Sequence, residues 1–336
     1  MQRHIVIVGA GLCGLYTAYL LREKYRVTLL EARERAGGRI LTRNGHDLGP
    51  SWVWPHHRAM LALVRASGLE LFPQYSEGEA LYETPQGVQR FVPPPSLPAA
   101  RVKGGVGSLV DTLVSRLHDV EQHYEEKVTH IKQEAEGLSV VTGKGTYRAN
   151  HVIVAAAPRV ATRIGYVPPL RSMTESTLNA IPTWMGHARK YVVTYARPFW
   201  RAAGLSGFVF SHSGPLAEIH DVSTEEEGAL FGFVRQGADA QKIEEEVIAQ
   251  LVRLFGEEAR HVTKIYDGHW RQDPLSSTPE DAALQAHPQY GHETEAYDGR
   301  LHFVSTEASR VEGGYLEGAL LAAQGLARRL WYCERE

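Results

Sequence analysis

Ile5-Val6-Ile7-Val8-Gly9-Ala10-Gly11-Leu12-Cys13-Gly14 carries an unbroken apolar run directly into three glycines spaced G-x-G-x-x-G. Such a run, beginning at His4, suits a strand buried on both faces of a parallel sheet, where neither face is left to water. Leu12 to Lys24 then places apolar residues at helical spacing, and Arg26 to Glu31 reads as a second strand. Strand, tight turn, helix and strand in that order make a βαβ unit, which implies a parallel sheet. Gly9 permits the turn, Gly11 lets backbone approach a pyrophosphate, and Gly14 lets helix and strand pack closely. The helix N-terminus then offers N–H groups and the positive end of its dipole to phosphate. Glu31 closes the second strand about twenty residues further on, where a carboxylate can accept from both ribose hydroxyls. A glycine turn that binds nothing is the alternative, and strand, helix and acid in register weigh against it.

The fingerprint alone does not distinguish NAD from FAD. Arg33 and the second glycine-arginine turn, Gly37-Gly38-Arg39, do. A nicotinamide enzyme has no need of that turn, whereas in two-dinucleotide-binding-domain flavoproteins it lies over the FAD pyrophosphate. Arg39 would neutralise phosphate charge that one helix dipole only partly offsets. FAD is the expected cofactor.

Working outward, His57 to Gly68 reads as an amphipathic helix, and a hairpin turns at Thr84-Pro85-Gln86-Gly87. Pro93-Pro94-Pro95-Ser96-Leu97-Pro98 reads as a rigid linker rather than an SH3 ligand. A helix follows Gly104-Gly105, then a meander of strands at Lys127 to Gln133, Gly137 to Thr142 and His151 to Ala155. Beyond Pro158 come longer antiparallel strands at Ala188 to Tyr195 and Leu230 to Arg235, with a helix near Lys242 to Phe255. Strand Leu301 to Val304 and helix Tyr315 to Trp331 return to the opening pattern. The expected fold is α/β: a two-dinucleotide-binding-domain (Rossmann-like) FAD domain with an inserted α+β substrate domain. The FAD domain takes residues 1–55, 100–158 and 265–336, and the substrate domain takes 56–99 and 159–264.

Composition narrows the partners. The chain has 336 residues, 43% hydrophobic and 22% charged, and a formal charge of −3, which gives no reason to expect nucleic acid or an anionic membrane. Its two cysteines, Cys13 and Cys333, form neither a disulfide framework nor a ligand set. No apolar stretch approaches the roughly 18–20 residues that span a bilayer, and no signal peptide is read, so a cytoplasmic protein is expected. The 16 histidines show no H-x-x-x-H or H-x-H spacing backed by a carboxylate, and no metal is assigned. His56 and His57 are read as surface residues beside the pocket.

Four separated blocks resemble the flavin-containing amine oxidases, the group of monoamine and polyamine oxidases and their L-amino-acid oxidase relatives. They are Gly9 to Arg39 with Asp47-Leu48-Gly49-Pro50-Ser51-Trp52; Glu126-Lys127-Val128 with His151 to Ala155; Ala188 to Tyr195 with Pro198-Phe199-Trp200; and Phe303 to Glu307 with Gly314-Tyr315-Leu316-Glu317-Gly318. The resemblance implies that Pro50, Ser51 and Trp52 lie beside the flavin ring with Trp270, and that the backbone of Val128 meets the adenine. Ala155 falls in the same nucleotide block. Glu307 would accept from ribityl hydroxyls, and N–H groups near Leu316 would face the polar edge of the ring. It further implies that Lys190 holds a water against flavin N5 and that Tyr315 forms one wall of an aromatic cage. The implied reaction takes a small amine to an imine by hydride transfer to N5, with O2 reduced to H2O2. Another FAD-dependent dehydrogenase or desaturase, or a flavin-binding partner without oxidase activity, is the alternative.

The chain departs from the family in three places. The flavin-linking cysteine and second cage tyrosine fall near Ser277 and Thr278, which implies non-covalent FAD and a missing wall. Trp52 stands where amino-acid oxidases carry a carboxylate-binding arginine, which favours an amine over an α-amino acid. The chain is also short for the family, so part of the substrate cap is expected to be missing, and it ends at Glu336 without a membrane anchor.

Overall fold

A computed structural model describes residues 2–95, 97–238, 241–284 and 286–332; Cys333, and Ser96 of the proline-rich connection, lie outside the described residues. Strand His4–Val8 runs parallel between Arg26–Leu30 and His151–Val154, at the centre of a six-stranded sheet. Its neighbours outward are Glu121–His123 on one side, and Leu301–Phe303 and Thr294–Ala296 on the other. The apolar run has a direct cause, because alternate residues serve two different cores. Ile5 and Ile7 pack against helices Leu12–Leu21 and Leu316–Tyr332, while Val6 packs against a second, four-stranded sheet. All three are fully buried.

That four-stranded sheet comprises Thr146–Ala149, Gly137–Thr142, Val128–Glu134 and Gly165–Val167. It corrects the expected meander. Thr146–Ala149 is a strand of its own, and His151–Val154 leaves to join the central parallel sheet. Residues 152–154 are buried, as a central strand demands and as a half-exposed meander strand would not. The first helix also ends earlier than expected, at Leu21, because the N–H groups of Lys24 and Tyr25 both turn back to the Leu21 carbonyl.

The second large sheet has seven strands in the order Lys264–His269, Arg189–Tyr195, Gly228–Val234, Leu216–Asp221, Leu205–Ser211, Glu79–Thr84, Gly87–Phe91. One face packs Tyr191, Val193 and Tyr195 against helix Ile243–Phe255 and Trp200. Period-2 alternation sends Lys190 and Val192 to the opposite face, toward the glycine turns.

Several contacts cross the expected domain limits. Helix Arg58–Ala66 contributes Met60, Leu63 and Val64 to the core of the first sheet, and its Ala59 and Met60 N–H groups donate to Glu317. Gly165–Val167 pairs with Val128–Glu134, and Leu178 joins the same core. Lys264–His269 belongs to the seven-stranded sheet, because it completes the ladder beyond Arg189–Tyr195. Among the described residues, no helix is long and apolar enough to cross a membrane.

Trp200 anchors the seven-stranded sheet. It is fully buried, its ring meets Tyr195 and Phe199 edge-on, and its Nε1 donates to Asp221 Oδ2 at 2.8 Å. Trp200→Ala is expected to cost about 3–5 kcal/mol in urea unfolding. An unchanged midpoint would remove Trp200 from this role.

Candidate active site

The glycine turn is as tight as backbone allows. Gly9 has φ +107°, and a Cβ on it would fall 2.8 Å from the Ala155 carbonyl oxygen. A Cβ on Gly14 would fall 2.0 Å from the Gly9 carbonyl oxygen, so helix and strand touch at this residue. Nothing lies within 4 Å of the position a Cβ would take on Gly11, which leaves an open cradle at the start of the helix. Glu31 fastens the turn. One carboxylate oxygen accepts from Ala10 N at 2.7 Å and the other from Arg33 N at 2.8 Å, leaving further lone pairs for a ligand hydroxyl. Arg35, which the sequence reading passed over, donates to the carbonyls of Ala36, Gly38 and Ile40 and so shapes the second turn.

Gly9, Gly11, Glu31, Arg33, Gly38, Arg39, Pro50, Ser51, Trp52, Val128, Ala155, Lys190, Trp270, Tyr315 and Leu316 all line one cavity of about 720 Å³. Two expected contacts do not line it. Gly14 lies behind the turn, where its role is packing. Glu307 is fully buried behind the wall and reaches the cavity through Arg39, whose Nη2 donates to its Oε1 at 3.1 Å. Glu307 Oε2 has no hydrogen-bond partner among the described residues. Arg33 is held by Asp273 at 2.7 Å and by Ser276 at 2.9 Å.

At the far end, the loop at Leu48 to Trp52 meets the seven-stranded sheet. Trp270 Nε1 donates to the Leu48 carbonyl at 2.8 Å, and Gly49 passes so near Arg39 that a Cβ would fall 2.0 Å from its carbonyl oxygen. Lys190 is 3% exposed and donates from Nζ to Ser51 Oγ at 2.6 Å and to the Gly49 carbonyl at 3.1 Å. Its Nζ also lies 3.9 Å from the centre of the Phe231 ring. Burial lowers its pKa from 10.5 to about 7, against the raising pull of the buried Asp47 carboxylate. Arg189 beside it points the other way, to Asp267.

Sequence reading missed much of this floor. Register places Lys190, Phe233 and Glu218 in one row across three strands, and Val192, Phe231 and His220 in the next. Phe231, Phe233 and Glu218 line the cavity with Trp54, Trp184 and Met185, and Glu218 pairs with His220 at 2.5 Å. The i, i+2 spacings of Glu218 with His220 and of Phe231 with Phe233 were the available signal. Ser277 and Thr278 do not reach the wall. Ser277 donates to the Trp270 carbonyl, and Thr278 caps the short helix Pro279–Ala283 with Asp281. Tyr315 precedes the last helix instead of opening it. Trp54 meets it edge-on at 6.1 Å and His287 stacks on it at 5.2 Å. His57, expected at the surface, is fully buried, whereas His56 is exposed.

The donor set fits a flavin dinucleotide. The open cradle at Gly11 suits a pyrophosphate, Arg39 supplies positive charge beside it, and the orphaned Glu307 oxygen awaits a donor. Cys13, the cysteine among the described residues, is buried at this end with its thiol pushed up to about 12.

Comparison with known proteins agrees. The family profile for flavin containing amine oxidoreductases matches residues 79–330, three quarters of the chain, and that for NAD(P)-binding Rossmann-like domains matches 7–66. An L-amino acid dehydrogenase of Synechocystis is 25% identical, over 97% of this chain and 94% of its own. A putrescine oxidase of Kocuria rosea is 22% identical, over 97% and 95%. A solved structure of putrescine oxidase bound to putrescine superposes with a TM-score of 0.85 at 21% identity, covering 99% of each chain, which shows the shared fold. With its glycine turns, arginine and cavity arranged for FAD, this chain belongs to the flavin containing amine oxidoreductases.

Proposed function

We propose that this protein oxidises a primary or secondary amine to an imine, with hydride passing from the α-carbon to flavin N5 and O2 reduced to H2O2. When bound, FAD supplies the two-electron chemistry that no side chain carries. The observation that carries the reading is a buried lysine set in an aromatic cavity facing the loop at residues 49–51. With a pKa lowered to about 7, a substantial share of Lys190, about half at pH 7, is the uncharged amine. A neutral amine has two N–H bonds and one lone pair. Gly49 and Ser51 take the two N–H bonds, so the Nζ lone pair is free to accept from a water in the cavity. Lys190 is then placed to orient that water and to receive a proton at Nζ.

Trp52, Trp54, Phe231, Phe233 and Tyr315 surround the same space. Such walls exclude water and favour the uncharged amine, whose lone pair must be available for hydride to leave. Tyr315 forms one wall, with Trp54 beside it. Trp52 spends its Nε1 on Gln74 at 2.8 Å. The arginines lining the cavity are engaged elsewhere: Arg33 with Asp273, Arg39 with Glu307 and Arg163 with the Pro274 carbonyl. A substrate without a carboxylate therefore fits better than an α-amino acid.

The test is anaerobic addition of a panel of amines and amino acids to the purified yellow protein. Bleaching by at least one amine is expected, followed by recovery of colour and stoichiometric peroxide when O2 is admitted. Bleaching without peroxide would transfer the reading to a dehydrogenase, and silence toward every amine would end it. Lys190→Met is expected to slow reoxidation on the order of 10²-fold; an unchanged oxidative half-reaction would remove Lys190 from the mechanism.

Lys190 also predicts how stability depends on pH. Its folded pKa of about 7 lies below the ordinary 10.5, so between these values the unfolded chain holds a proton that the folded chain has released. Stability from this group therefore rises with pH across that window, by up to about 1.4 kcal/mol per pH unit, and is lost as pH falls through the lower value. Lys190→Met should flatten that slope in urea titrations, and an identical pH profile in the variant would contradict the assignment.

A further inference from the structure

His56 and His57 come from one loop and Glu312 from another, 255 residues away in sequence. The fold brings one ligand atom of each within 4.8 Å of the other two. His57 Nε2 lies 3.3 Å from Glu312 Oε2, and His56 Nε2 lies 3.4 Å from Glu312 Oε1. These separations are long for a charge-assisted hydrogen bond, which closes to roughly 2.7–2.9 Å. Among the described residues, three other histidine–glutamate pairs close further, at 2.9 Å for His46–Glu227, 2.9 Å for His123–Glu121 and 2.5 Å for His220–Glu218, while His302–Glu295 stands apart at 3.9 Å. A spacing of 3.3–3.4 Å instead matches the edge of a tetrahedron whose bonds to a central ion are about 2.0–2.1 Å.

We propose that His56, His57 and Glu312 bind one divalent transition-metal ion of the zinc class at the rim of the active-site cavity. Two imidazoles and a carboxylate suit zinc rather than magnesium or calcium, which prefer all-oxygen shells. Glu312 sits at φ +53°, a conformation uncommon for glutamate, and its carboxylate lies between the two imidazoles. A recess of about 410 Å³, bordered by Trp54, His56, His287, Glu312 and Tyr315, adjoins two of the three ligands, His56 and Glu312, and leaves room for water to complete the shell. Trp54 and Tyr315 line both this recess and the main cavity, so a bound ion would lie directly behind the aromatic wall.

The test is zinc chloride titrated into the FAD-loaded protein by calorimetry, with bound metal counted after equilibrium dialysis. One zinc per chain is expected in the parent. His56→Asn and Glu312→Gln, at an exposed and a half-buried position, should each weaken binding at least about tenfold, while flavin absorbance shows that both still fold. His261→Asn, at an exposed histidine away from the cluster, should bind as the parent does. Absence of stoichiometric zinc in the parent, or equal affinity in all three variants, would overturn the site. Metal is counted directly, so the result stands or falls independently of amine oxidation.

Discussion

A lysine amine taken out of water needs partners, and meeting that need draws the two halves of this molecule together. Lys190 stands on the seven-stranded sheet, and its partners, Gly49 and Ser51, stand on a loop that follows the short strands Thr42–Arg43 and His46–Asp47 beyond the second glycine turn. The loop reaches it only because Trp270 holds the Leu48 carbonyl and because Gly49 lacks a side chain where it passes Arg39. The cavity lies between these contacts. Its nucleotide end and its aromatic end keep their relation because one buried polar group spans them. A buried amine left without partners is costly enough to make this contact decisive.

The same economy appears in the central strand. Ile5 and Ile7 serve the helical core while Val6 serves the core beneath the four-stranded sheet. A strand with no polar face cannot slip by one residue without exposing a core, so the position of the glycine turn is rigidly set. Glu31 then clamps both sides of that turn through backbone N–H groups. Rigid backbone at the phosphate end and a well-anchored lysine at the other favour a site assembled before substrate arrives.

Elements with a strong local period were legible. The strand at residues 4–8, the hairpin turning at Thr84–Gly87 and the helix at 243–255 emerge where alternation, turn residues or helical spacing place them. Strands without such a period were not, among them Leu216–Asp221 and Lys264–His269, whose mixed polar sequences take strand form from their neighbours' ladders. Contacts that cross the expected domain limits were hidden for the same reason. Helix Arg58–Ala66 and strand Gly165–Val167 join the nucleotide unit through contacts made far away in sequence. At the site, the glycines, Glu31, Arg39 and Lys190 were visible because each sits in a motif or breaks an apolar run. Glu218 and Phe231 offered only an i, i+2 spacing, and His57 only its place beside His56.

What the sequence by itself determined was the chemistry of the dinucleotide end. Glycine spacing, strand period and the acid after the second strand are local rules, because backbone sterics act over a few residues. What only the tertiary structure decided was which side chains meet. The row of Lys190, Phe233 and Glu218 depends on the register of three strands, and the cluster at Glu312 depends on a loop 255 residues from its histidines. Register and loop docking follow from burying the whole core at once, and that sum over the folded chain is written in no single stretch of it.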